Sequence, residues 1–287
     1  MTMQHRRIDL ENLVAIDVHV HAHAHEPPNE VTRAASRYFG TEDVPTDLDA
    51  LAAYYRERRI AAVVFSVDEH LSGRAVVPND DVLAAAARNP DILIPFASVH
   101  PLGGPAALAE TDRLIAAGAR GFKLHPPLMG FFANDPGAYP FYARLEAARL
   151  PVLVHTGHSG IGSGLRGGGG VRLKYGTPLP LDDVAVDFPD LPIILAHPSF
   201  PWQDEAISIA MHKPNVFIDL SGWSPKYFPP TLVQYAQTRL REKVLFGSDY
   251  PLITPDRWLH DFAALPFRDA VRPLVLKDNA ARLLRLA

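Results

Sequence analysis

The stretch Ile16-Asp17-Val18-His19-Val20-His21 stands close to the N-terminus, and its reading decides how the rest is read. Isoleucine and valines run into two histidines separated by one residue. Side chains in a β-strand alternate faces, so His19 and His21 point to the same side. A hydrophobic core would leave two polar rings there without partners, at a cost in free energy. A transition-metal ion suits two imidazoles at the end of a short apolar strand. Outward from this strand, the chain reads as seven more strands bringing further ligands, a base and substrate walls to the same point.

After the first strand, the polar segment Glu26 to Pro45 reads as a long loop. Thr46 or Asp47 caps a helix through Arg59, with Leu48, Leu51, Ala52 and Tyr55 at helical spacing. Ile60 to Val67 is a continuous apolar run, the pattern of a strand buried on both faces. Asn79 caps an alanine-rich helix that ends at Asn89-Pro90, and Ile92 to Val99 is the third strand. A helix from Pro105 to Ala117 stops at Gly118, before strand four at Ala119 to Leu124. A helix from Ala138 to Arg149 precedes strand five, Pro151 to His155. Strands six, seven and eight are Leu191 to His197, Val216 to Leu220 and Val244 to Gly247, and a last helix covers Asn279 to Leu286. Strict alternation means a parallel sheet, and eight strands favour a closed (β/α)₈ TIM barrel over an open doubly wound sheet. No repeat, low-complexity tract or composition shift marks a boundary, so residues 1–287 read as a single α/β domain.

The composition narrows the function classes. Hydrophobic residues make up 47% and charged residues 21%, ordinary for a globular enzyme. A net charge of -4 argues against nucleic acid or an anionic membrane as the main partner. There is no cysteine, so any metal must be held by His, Asp, Glu or a modified Lys. Met1 to Asn12 is charged and lacks the apolar segment of a signal peptide, and no apolar run reaches the ~20 residues of a membrane span. A cytoplasmic protein acting on a small molecule is the expectation.

The active site of such a barrel lies at the C-terminal ends of its strands. Strand one ends in His19 and His21, strand four in Lys123 and His125, strand five in His155, strand six in His197 and strand eight in Ser248-Asp249. One histidine at a strand end is usually a hydrogen-bonded structural residue. His, His, His and Asp from four strand ends converging on one barrel mouth make a metal site the better reading.

These residues closely resemble the amidohydrolase superfamily, in particular the amidohydrolase-related branch that includes aminocarboxymuconate-semialdehyde decarboxylase-like enzymes. The likeness covers nearly the whole chain. It rests on Asp17-Val18-His19-Val20-His21, Leu153-Val154-His155-Thr156-Gly157, Leu195-Ala196-His197-Pro198, Leu245-Phe246-Gly247-Ser248-Asp249-Tyr250-Pro251 and Asp278-Asn279-Ala280-Ala281-Arg282-Leu283-Leu284. The resemblance implies that His19, His21, His155 and Asp249 ligate a divalent metal: zinc first, with manganese or iron as alternatives. It implies that His197 is a catalytic or orienting base, and that Asp249 both ligates and shuttles a proton. Neutral imidazoles and a carboxylate suit all three metals.

Lys123, in Gly121-Phe122-Lys123-Leu124-His125-Pro126, has two readings. In some superfamily members a strand-four lysine is carboxylated and bridges two metals. Otherwise it is unmodified and paired with an acid or an anionic substrate, since an unpaired buried ammonium is costly. A slipped register, with His21 and His23 as the ligand pair, is the alternative to His19 and His21. His23 and His25 otherwise read as loop residues around the site, and His158 as part of its wall. Gly167 to Gly170 follows no strand and precedes no Gly-Lys-Ser/Thr, so it reads as a loop overhanging the site rather than a phosphate loop. Its Arg166, Arg172 and Lys174 are either solvated charge or carboxylate contacts. His5, His70, His100, His212 and His260 carry no argument for function. After His197 the branch commonly has a glycine-rich turn, where this chain has Pro198-Ser199-Phe200-Pro201-Trp202. Phe200 and Trp202 therefore suggest an aromatic wall near the base, and Lys123, His125 and His158 join them as candidate substrate contacts.

The favoured activity is hydrolysis of an ester, lactone or amide bond in a small, carboxylated or neutral, organic substrate through metal-activated water. The alternative with the same ligands is non-oxidative decarboxylation of an aromatic or unsaturated carboxylic acid. A non-catalytic barrel with a binding role is the third reading, and the complete ligand set argues against it. Family members are often dimers or larger, so a homo-oligomer is compatible with the resemblance.

Overall fold

The computed structural model describes residues 8–23, 33–34, 37, 47–67 and 77–286. Apart from positions 33, 34 and 37, the segment expected as a loop from Glu26 to Pro45 lies outside these residues, as do His5, His25, Thr46 and His70.

Among the described residues, eight strands alternate with helices: β1 (Ala15–His21), β2 (Ile60–Phe65), β3 (Leu93–Pro95), β4 (Phe122–Leu124), β5 (Val152–His155), β6 (Ile193–Ala196), β7 (Val216–Asp219) and β8 (Val244–Leu245). Neighbouring strands pair in parallel, in the order β1-β2-β3 and β4-β5-β6-β7-β8. Shorter contacts close the two sheets into a ring. At the first seam Ala97 bridges to Phe122, with its amide donating to Gly121 O at 3.0 Å and its carbonyl accepting from Lys123 N at 2.8 Å. At the second seam Val18 N donates to Phe246 O at 3.0 Å, His21 N to Tyr250 O at 2.9 Å and Asp249 N to His19 O at 3.0 Å. The chain is an α/β barrel, as the alternation predicts.

Burial follows the sequence pattern. All six residues of β2, Ile60-Ala61-Ala62-Val63-Val64-Phe65, are buried, because the strand is covered by helices outside and by side chains within. The helices after β1, β2 and β3 are α1 (Leu48–Glu57), α2 (Asn79–Arg88) and α3 (Gly104–Ala116). Asp47 caps α1, its carboxylate accepting from the amides of Asp49 and Ala50. The sequence pattern makes Asn79 the cap of α2, but Pro78 holds that position. The Asn79 amide instead exchanges two 2.9 Å hydrogen bonds with the backbone of Ser98, tying the helix to the chain beyond β3. β3 is also shorter than the Ile92 to Val99 run. Pro95 has no N–H to continue the ladder, and the chain beyond it turns to pair with β4 through Ala97.

The remaining α-helices among the described residues are α4 (Pro126–Met129), α5 (Tyr139–Ala148), α6 (Pro180–Asp187), α7 (Gln203–His212), α8 (Pro230–Ala236), α9 (Pro255–Ala263) and α10 (Asn279–Leu283). Trp258 of α9 is fully buried against Phe246 and Phe262, and its indole N–H donates to Leu220 O at 3.1 Å, locking this helix under β7 and β8. Among the described residues no helix is long and apolar enough to cross a membrane.

Candidate metal centre

The strands' C-terminal ends surround a cavity of about 290 Å³. His21, Lys123, His125, His155, His197 and Asp249 line its inner part. Five strands or their immediate extensions thus deliver side chains to one place, as the strand-end pattern predicts. Two of these side chains require an uncommon backbone. His197 has φ 71° and Asp249 φ 68°, in the left-handed region disfavoured for residues with a Cβ. Such strain persists where the surrounding packing over-determines it, often at functional sites. Gly222, after β7, permits the close approach: a Cβ there would stand 2.5 Å from His197 Nδ1 and 3.2 Å from an Asp249 oxygen.

Asp249 Oδ1 lies 3.2 Å from His19 Nε2 and 3.2 Å from His21 Nε2. Two ligands about 2.0–2.1 Å from a tetrahedral zinc stand about 3.3 Å apart, so each of these two contacts has the length of an edge around one ion. His19 and His21, rather than His21 and His23, converge on Asp249. Among the described residues, the donor atoms that all lie within 4.8 Å of one another are those of His19, His197 and Asp249, without His21 or His155. His197 Nε2 is 3.0 Å from His155 Nδ1, and the His155 ring stacks on His125 with centroids 3.8 Å apart. His155 Nε2 and His125 Nδ1 are buried nitrogens with no hydrogen-bond partner. A buried lone pair left open in this way fits a ligand atom awaiting a cation.

Lys123 is fully buried, with Nζ 3.2 Å from His19 Nε2 and 5.1 Å from the Phe65 ring centre. His19 Nδ1, on the other side of its ring, is 2.6 Å from Asp219 Oδ2 and 2.9 Å from Ser221 Oγ. Burial holds the His19, His125 and His155 imidazoles well below the usual histidine range; the charge of Lys123 adds to this at His19 and His125, and neighbouring imidazoles, His125 first, add to it at His155. Burial lowers His197 to about 4 against the opposing pull of Asp249. At Asp249 burial opposes ionisation, but the His21 hydrogen bond and the charges of His197, His21 and Lys123 outweigh it and lower its carboxyl. Burial raises Asp219 to about 8, against the Ser221 hydrogen bonds and Lys123.

The outer cavity departs from expectation. Phe200 and Trp202 do not line it. His197 and Ser199 both adopt left-handed backbone, and the chain then swings outward, leaving Phe200 46% exposed. Phe200 packs on the outer side of Trp223, with centroids 5.4 Å apart, and Trp223 forms the aromatic wall. His158 does line the cavity, as do His23, Ser159 and Ile161. The glycine-rich stretch of the same loop stays outside. Arg166, Arg172 and Lys174 do not reach the cavity, and Lys174 lies over the rings of Phe132 and Tyr175. Sequence reasoning missed Asp219, Ser221, Trp223, Tyr227 and Arg257. The signal for the first two was present: Ile218-Asp219-Leu220-Ser221 is another apolar strand ending in polar residues.

Known proteins share this chain's fold. A match of 137 residues, 26% identical, covers 45% of this chain but only 14% of Protein fluG from Emericella nidulans. An uncharacterised TIM-barrel protein from Bordetella bronchiseptica superposes with a TM-score of 0.80 and 26% identity, over 95% of this chain and 98% of that one. A probable 2-pyrone-4,6-dicarboxylic acid hydrolase from Acinetobacter baumannii, with citric acid bound, shares the fold at 20% identity and a TM-score of 0.64, over 94% and 99% of the two chains. A 2,6-dihydroxybenzoate decarboxylase from Rhizobium does so at 17% identity and a TM-score of 0.69, over 96% and 99%. The amidohydrolase family model matches residues 16–286, from the first strand to the last helix, and the chain belongs to the amidohydrolase family.

Proposed function

We propose that the chain is a metal-dependent hydrolase of an ester, lactone or amide bond in a small organic substrate. The observation that carries this reading is the meeting of His19 Nε2 and His21 Nε2 at one oxygen of an ionised Asp249. His19, His21, Asp249 and His155, through its open Nε2, would hold the ion, with zinc the best match to three imidazoles and a carboxylate. Bound there, a divalent ion supplies Lewis acidity, polarising a carbonyl and lowering the pKa of water.

The protein's own groups do the rest. Asp249, kept ionised, takes the proton that the attacking water loses and returns it to the leaving group. His197, neutral at pH 7 and lining the same cavity, bonds Ser221 and His155 through its two ring nitrogens and so holds the His155 imidazole in place. Ile161, Trp223 and Leu252 give the cavity an apolar wall that excludes bulk water and strengthens these interactions. A decarboxylase built on the same ligands must deliver a proton to carbon. Hydrolysis needs an acceptor for the proton of the attacking water, and the ionised Asp249 in the cavity supplies it.

The test is turnover of a panel of lactones, esters and amides by zinc-loaded protein in oxygen-18 water. One labelled oxygen per product carboxyl, lost on chelation and restored by zinc, is the expected result. Release of carbon dioxide without label would replace this reading with the decarboxylase. Turnover indifferent to chelation would remove the metal from it.

A further inference from the structure

The hydrogens around β7 can be counted, and the count fixes three imidazoles. His19 Nε2 stands 3.2 Å from the Lys123 amine, a hydrogen-bond donor, and Nδ1 faces a carboxyl oxygen, so Nε2 is the acceptor and the His19 proton sits on Nδ1. That N–H faces Asp219 Oδ2 at 2.6 Å. Ser221 has one hydroxyl proton, and it goes to the same Asp219 oxygen at 2.8 Å. Asp219 Oδ1 accepts the Ser221 amide at 2.7 Å, and a Cβ on Gly247 would come within 2.2 Å of that oxygen, so the carboxylate is clamped between two backbones. Ser221 Oγ also lies 2.9 Å from His197 Nδ1; with its own proton spent, it accepts, and His197 is protonated on Nδ1. His197 Nε2 is then a lone pair 3.0 Å from His155 Nδ1, which must donate. His155 Nε2 is left bare, and it is the buried nitrogen without a partner.

We propose that Asp219 and Ser221 are positioning residues whose hydrogen-bond chain sets the tautomers of His19, His197 and His155, so that His19 Nε2 and His155 Nε2 are presented as lone pairs to a divalent cation. The cation itself is the one in the proposed function, on which this inference rests. Each link carries one proton, so removing one hydroxyl uncouples the far end. Without the Ser221 oxygen, His197 loses the acceptor for its Nδ1 proton and is free to move that proton to Nε2, which then no longer accepts from His155 Nδ1, while the His19–Asp219 contact survives.

The test uses residue-assigned long-range ¹⁵N–¹H spectra of the metal-free full chain at pH 9, above the value of about 8 to which burial raises Asp219, beside zinc affinity measured by chelator competition. Wild-type protein is expected to show Nδ1–H at all three histidines. Ser221→Ala is expected to move His197 and His155 toward Nε2–H, leave His19 unchanged and weaken zinc about 10-fold. Asp219→Asn is expected to disturb His19 as well and weaken zinc roughly 10–100-fold, the range for partners behind a metal-bound histidine. Tyr55→Phe, an equally buried substitution away from the imidazoles, is the folding control and should change neither readout. Wild-type Nε2–H at His197 or His155, or wild-type tautomers in Ser221→Ala, would overturn the relay. If the wild-type chain binds no zinc while the tautomers behave as stated, the metal reading fails and the relay stands.

Discussion

Asp17 and His155 are both buried on barrel strands, yet their surroundings are opposite in kind. Asp17 is saturated. Its Oδ1 accepts from His19 N at 3.1 Å and Ser248 N at 2.9 Å, and its Oδ2 accepts from the Tyr55 hydroxyl at 2.9 Å and the Ser248 hydroxyl at 2.5 Å. These bonds join β1, α1 and the chain after β8, so this carboxyl helps close the barrel's second seam. Burial still raises it to about 6 against all four donors. His155 has one partner at Nδ1 and nothing at Nε2, with the rings of His125 and His197 beside it. A polar cluster that serves the fold closes on itself; one that serves a ligand keeps an open valence and is less stable for it.

That contrast can be broken from either side. The largest effect is expected at Asp249→Asn, on the open side. Turnover and zinc binding should fall on the order of 10³-fold, while the unfolding midpoint of metal-free protein moves little. A variant that keeps its zinc would remove Asp249 from the centre. On the closed side, Asp17→Ala leaves two amides and two hydroxyls without their acceptor and should cost about 3 kcal/mol in denaturant unfolding, with one zinc per chain retained. Loss of zinc at unchanged stability would instead make Asp17 part of the metal site.

Tyr55→Phe sharpens the comparison by deleting one donor of the four, and about 1 kcal/mol is expected in the same unfolding measurement. The smallest effect belongs to a surface contact, where Arg88 of α2 bonds Asp49 of α1 at 2.8 Å. That bond holds the Asp49 carboxyl below its usual value, so its stabilising effect is present above about pH 4 and is lost as the pH falls through the folded-state value. Asp49→Asn should therefore lower the unfolding midpoint slightly at pH 7, less at high salt, and not at all near pH 2. An undiminished difference at pH 2 would show that the carboxylate's charge is not what matters.

The barrel and most of the cavity's inner residues were legible in the chain, for local reasons. Apolar runs such as Ile60 to Phe65 and Val152 to Val154 report burial on both faces whatever lies beyond them. A histidine at the end of such a run is conspicuous because the run has no use for it. Element ends were less legible: Pro95 cut β3 short, and Asn79 was drawn from capping its helix by a backbone on another element. The outer cavity was illegible for a related reason. Phe200 and Trp202 follow His197 directly, but a left-handed turn sends Phe200 outward, and Trp223 from another loop takes the wall.

By itself the sequence determined that five of eight strand ends would carry imidazoles, a lysine and a carboxylate to one rim, because strand periodicity and apolar burial act over a few residues. Only the tertiary structure decided which groups stand behind those imidazoles. Asp219 meets His19 across 200 residues and Ser221 meets it across 202. The protons on His19, His197 and His155 are assigned by that packing, since a neutral imidazole has two nitrogens and only its neighbours choose between them.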